Sequence, residues 1–147
     1  MLTFNVVGDP AAQGSKRFVG HARSGRPIMR EQSDKVRPWR DSVAGAALAA
    51  IEATPGWSKL DGPVRLRIVF RFPMPASRPR AVRIQGRGWK VSSPDLSKLV
   101  RSTEDALQDA GVFTNDARVC DLRCRKVEVA DGWTGARVWV EPILEAP

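Results

Sequence analysis

Alternation of apolar and polar positions is clearest in DGPVRLRIVFRFPMP, which sets Val64, Leu66, Ile68, Phe70 and Phe72 on one face and Arg65, Arg67 and Arg71 on the other. A period of two marks a half-buried strand, so this segment has a core face and a wet, positive face. Two readings of those arginines carry equal weight, a solvated surface and a surface facing nucleic acid. Weaker alternation predicts a strand in LTFNVV, ended by the turn GDP, and two more in RVCDLRCRKVEV and GARVWVEP. The turn ADGWTG between the last two predicts an antiparallel hairpin.

Helical spacing takes over in two places. Ser33 can cap a helix through DKVRPWRDSVAGAALAAIEA, with Pro38 tolerated near the first turn and TPG as the stop. Val36, Trp39, Val43, Ala46, Ala47 and Ala50 share one face of it, and Trp39 reads as core. The second helix runs from Leu96 to Asp109, with Leu96, Leu99, Val100, Thr103, Leu107 and Ala110 on one face and Gly111 as its end. KRFVGHARSGRPIMRE makes a hairpin or an ordered basic loop. Residues 73–90, PMPASRPRAVRIQGRGWK, carry no acid and enough proline and glycine to break regular structure, which predicts a mobile basic loop. The sum is one α+β domain over residues 1–147, a small mixed or antiparallel sheet with two main helices packed on it.

Composition narrows the partner. The 147 residues suffice for one domain with a real core, without disulfide or metal staples. Lysine and arginine number 24 against 16 acids, a net charge of +8, which points to a polyanion. Arginine dominates the excess, and its planar guanidinium suits bidentate phosphate contacts, favouring nucleic acid over a membrane surface. No apolar run of about 18 residues occurs, and Met1 to Gly8 lacks the features of a signal peptide, so a soluble, intracellular protein is expected. Lys16, Arg17, Arg78, Arg80, Arg83 and Arg87 are candidates for backbone contacts, each with an ordinary solvated reading beside it. Trp89 has both a stacking and a packing reading. RNA is disfavoured as the partner because few aromatics fall in the basic segments. Cys120 and Cys124, on one strand, sit roughly 13 Å apart at Cα, beyond disulfide reach, and read as buried small residues. With His21 as the only histidine they cannot complete a zinc site.

The acids of SSPDLSKLVRSTEDALQDAGVFTNDARV remain. Asp95 falls at the start of the second helix, where a carboxylate that caps backbone N–H groups needs no further role. A magnesium-dependent phosphodiester hydrolase, however, needs carboxylate oxygens converging on one hard cation. A 14-residue helix is roughly 21 Å long and the seven steps from Asp109 to Asp116 reach at most about 24 Å, so Asp116 returns to Asp95 only if the chain doubles back along the helix.

Pro94, Asp95, Leu96, Ser97, Lys98 and Leu99, then Asp105, Ala106 and Leu107, then Asn115, Asp116 and Val119 resemble, without gaps, the motif of the RusA family of Holliday-junction resolvases. VVGDPAAQGSKR is similar to that family's first strand, turn and basic segment, and Trp39 fits its first helix. The resemblance implies a RusA-like α+β fold and a homodimer in the cytoplasm of a bacterial, prophage-carrying or phage-infected cell. It implies an endonuclease that resolves four-way DNA junctions by paired nicks, with Mg2+, or Mn2+ in its place, held by Asp95 and Asp116 and assisted by Arg101. Ser97 and Asn115 depart from the pattern, each standing where the family has an aspartate. Ser97 then holds a metal-bound water, or Glu104 or Asp105 substitutes, or position 97 has been altered from its natural residue, or the chain is a non-catalytic junction-binding protein with a degenerate metal site. Glu104 lies about 10 Å from Ser97 along the helix, which argues against direct substitution.

Overall fold

A computed structural model describes residues 1–14, 16–31 and 34–147, and for residues 16, 17 and 29–31 the backbone only. In chain order the elements are β1 (Leu2–Val7), β2 (Lys16–His21), β3 (Pro27–Glu31), α1 (Val36–Glu52), β4 (Val64–Pro73), α2 (Arg80–Gln85), β5 (Arg87–Trp89), α3 (Leu96–Asp109), a 3-10 turn (Asp116–Arg118), β6 (Val119–Val129) and β7 (Gly135–Pro142). Five strands form one sheet in the order β1-β7-β4-β6-β5, and β2 and β3 form a separate two-stranded ribbon. The expected α+β class holds, and the sheet is mixed: β4 runs parallel to β6 and antiparallel to β7. Among the described residues no helix is long and apolar enough to cross a membrane.

The alternation in β4 does what a period of two predicts. Val64, Leu66, Ile68, Phe70 and Phe72 are buried, each side chain contributing about 1.5–3 kcal/mol on leaving water. Against that face lie α1, through Val36, Trp39, Val43 and Ala47, and α3, through Leu99, Val100, Ala106 and Leu107. The two helices are also tied by a polar bond, the Trp39 indole N–H donating to Thr103 Oγ1 at 3.1 Å. Ser102, equally buried, donates to the Ala11 carbonyl at 2.7 Å and so fixes the segment after β1 against α3.

Two expectations fail for physical reasons. β6 and β7 do not pair as a hairpin; β4 lies between them and takes the hydrogen bonds of both. The most apolar strand is buried on both edges, and the turn after β6 spans across it. Residues 73–90 are not without regular structure: they contain α2 and β5, with β5 antiparallel to β6. Gly86, at φ 70°, ends α2 in the left-handed conformation that a glycine adopts without strain. The proposed cap Ser33 lies outside the described residues; α1 itself begins at Val36 with no side-chain cap.

Candidate functional site

The fold presents α3 with its N-terminus held from β6. Lys126 Nζ donates to the carbonyls of Ser92 and Pro94 at 2.8 and 2.7 Å, fixing the loop that delivers Asp95. Asp95 occupies the N-cap of α3 with extended backbone, yet its side chain makes no capping hydrogen bond and, among the described residues, pairs only with the Lys98 ammonium, at 3.7 Å. The purely structural reading of Asp95 as a cap therefore finds no bond to rest on. Ser97 and Arg101, one turn apart on the same helix, are both exposed. Beside this turn the Gln13 N–H donates to the Lys98 carbonyl at 3.2 Å, and Gln13 Oε1 is buried with no partner among the described residues.

Beyond α3 the chain does double back. Leu60 bridges to Phe113, and Asp61 accepts from Thr114 Oγ1 at 2.7 Å and pairs with Arg118 at 3.1 Å, so the segment before β4 pins the turn. Asn115 Oδ1 caps the 3-10 turn by accepting from the Ala117 N–H at 2.8 Å. An aspartate would serve there equally, so asparagine at 115 costs the turn nothing. The Asp116 N–H donates to Gln108 Oε1 at 2.9 Å, which returns Asp116 to the side of α3.

The acid that feels its charge there is Glu104. Half-buried, Glu104 has its pKa pushed up to about 7, first by burial and then by the negative charges of Asp116 and Asp105. The thiol of Cys124 on β6 is likewise pushed up to about 12, by burial and then by Glu104. Asp95 stays at the other end of the helix, nine residues or roughly 13 Å along the axis from Glu104. Among the described residues no three His, Cys, Asp or Glu side chains gather as a ready metal cage. The structure thus places Asp116 beside Gln108, where its charge acts on Glu104, while Asp95 stands at the N-terminal end of α3. Sequence reasoning set Glu104 aside by its distance from Ser97, although the seven-residue spacing already placed both on one face.

The basic residues expected to contact DNA lie elsewhere on the fold. Arg80, Arg83 and Arg87 are exposed on α2 and β5. Arg78, also a candidate for a phosphate contact, donates to the buried Glu128 at 2.6 Å and to the Trp89 carbonyl at 2.9 Å. The side chains of Lys16 and Arg17 lie outside the described residues. Sequence reasoning missed Arg123, Arg125 and Arg137, which are exposed on the face of the sheet away from the helices. Their signal was the alternation of β6 and β7. The cysteines also need correcting, since Cys120 is exposed and Cys124 only half-buried.

The donor set is all oxygen, as a hard cation requires, and magnesium keeps several waters and binds through one or two carboxylates plus substrate phosphate. Asp116 and Glu104, repelling one another, fit such a site in donor type, with Asp95 and Ser97 further along the same helix. Comparison with curated proteins gives no match. The family model described as endodeoxyribonuclease RusA matches residues 8–141, which begins just after β1, takes in α3 and the turn after it, and ends within β7. The chain therefore belongs to the RusA endodeoxyribonuclease family.

Proposed function

We propose that this chain is a magnesium-dependent endonuclease that resolves four-way DNA junctions by paired nicks, acting as a homodimer so that two sites related by symmetry cut opposing strands. The observation that carries the metal dependence is the pair of repelling carboxylates, Glu104 and Asp116, retained in a chain of net charge +8. Without a cation such a pair opposes both folding and DNA binding. Asp116 and Glu104 would hold the metal, while Asp95 and Ser97, roughly 13 and 10 Å from Glu104 along α3, would face the DNA at the N-terminal end of the helix rather than ligate that ion. Bound magnesium would supply Lewis acidity toward the phosphodiester and an activated water. Arg101, exposed one turn from Ser97, offsets charge on the phosphate, and Lys126 holds the loop that presents Asp95. Arg80, Arg83 and Arg87 hold the DNA backbone.

A second reading has a specific observation behind it: no three acids gather among the described residues, and position 97 contributes only a hydroxyl. On that reading the chain binds junctions without cutting them. A labelled four-way junction incubated with magnesium separates the two. The nuclease reading expects paired nicks that fall about 100-fold in Asp116→Asn and fall also in Glu104→Gln. Tight binding by the unaltered protein with no nicks would establish the binding module instead.

A further inference from the structure

Between α2 and the strands β5 and β6, on the sheet face turned away from α1 and α3, lies a groove of about 690 Å³. Its apolar floor is Val69, Val82 and Val127, Trp89 stands at its side, and Arg87 and Arg125 border it. Trp89 is 64% exposed, with no aromatic or cation partner among the described residues. The groove is built rather than incidental. Arg78 links the 1%-exposed Glu128 to the Trp89 carbonyl and so locks the segment carrying α2 onto β5 and β6. Gly88 keeps it narrow: a Cβ there would meet Val82 Cγ1 at 3.1 Å.

Charge selects the occupant. Among the described residues three arginines and no carboxylate line the groove. Arg71, close by, is held below its ordinary pKa by burial and then by Arg87, with Asp131 a weaker counterweight, so two guanidinium groups oppose one another where an anion would relieve them. A second copy of this surface would be repelled. A duplex hides the faces of its bases and cannot present one to Trp89, whereas an unpaired nucleotide offers both a face and a phosphate. We infer that this groove takes one unpaired nucleotide of a DNA strand, the base stacked on Trp89 over the valine floor and the phosphate between Arg87 and Arg125. The inference rests on the reading of DNA as the substrate and adds a subsite for an unpaired base, of the kind a branch point supplies.

The test needs neither metal nor cleavage. Anisotropy in EDTA would compare a labelled oligodeoxythymidylate with a hairpin duplex of equal phosphate number at matched salt. The pocket expects the single strand to bind tighter, Trp89→Ala and the groove-filling Val82→Trp to weaken it about 10-fold, Trp89→Phe to restore much of the loss, and duplex binding to change little. Unchanged single-strand affinity in a folded Trp89→Ala, or equal losses on both DNAs, overturns the pocket whether or not the native protein cuts junctions. Native protein that binds single strands through Trp89 yet never nicks a junction supports the pocket and overturns the nuclease reading alone.

Discussion

Glu104 carries more of the site than its position suggested. Its carboxyl titrates near 7 in the fold against an ordinary 4.5, so the folded state holds a proton that the unfolded chain has released. As pH rises from 4.5 to 7 the unfolded state gains the advantage and stability falls; below 4.5 both states are protonated and the difference vanishes. Glu104→Gln removes that dependence. Since the group is about half exposed, solvent screening reduces the effect to roughly 1–2 kcal/mol, a few degrees in melting temperature for a chain of this size. Thermal melts in EDTA should show Glu104→Gln more stable than the native protein at pH 8 and equal to it at pH 4. Saturating magnesium should shrink the gap by stabilising the native carboxylate pair. Parallel melting curves across the pH range would show that neither burial nor the charge of Asp116 raises Glu104.

At the scale of elements, α2 and β5 depend on one ion pair. Glu128 is 1% exposed and its partner Arg78 comes from outside β6, so Arg78→Ala leaves a buried carboxylate without a counter-charge. Breaking such a pair costs about 3 kcal/mol. The loss should appear as a lower urea midpoint, with faster amide exchange in residues 80–89 than in β4, and Arg78→Lys should recover part of it. Exchange no faster in that segment would show that α2 docks without the pair. The same elements mark where the sequence was legible. β4 and α3 could be read because each has one buried face over ten or more residues, so the period stands clear of noise. α2 has six residues, none buried, and β5 three, so neither has a period to read; a buried acid and an arginine fifty positions apart hold them. The β6–β7 pairing was misread because adjacency in sequence gives no sign that β4 occupies the place between them. The motif singled out Asp95, Ser97 and Asp116 as candidates, whereas where Asp116 lies along α3 depended on how far the turn doubled back.

Across the whole molecule, charge is sorted by face. Arg65 is neutralised by Asp121 at 2.7 Å, Glu141 at 3.3 Å and Glu145 at 2.9 Å, which closes one end of the exposed sheet face. Further along the same face Arg67 is the register partner of Arg123 on one side and of Trp139 on the other, and both Arg67 and Arg137 lie over the Trp139 ring. Like charges directly opposite in a sheet destabilise it. Their retention makes sense if a polyanion covers the face and releases its counterions on doing so. Junction affinity measured in EDTA should therefore fall steeply with salt, by roughly 10³-fold or more between 50 and 200 mM if six or more phosphates are neutralised. Arg67→Gln with Arg123→Gln should flatten that slope by about two contacts and leave the unfolding midpoint little changed, because relief of their mutual repulsion offsets the loss of Arg67 over Trp139 and of the exposed Arg123–Asp121 pair at 3.9 Å. Arg65→Gln, already neutralised by three acids, should leave the slope unchanged. A slope that responds to Arg65 and not to Arg67 and Arg123 would place the DNA elsewhere on the molecule.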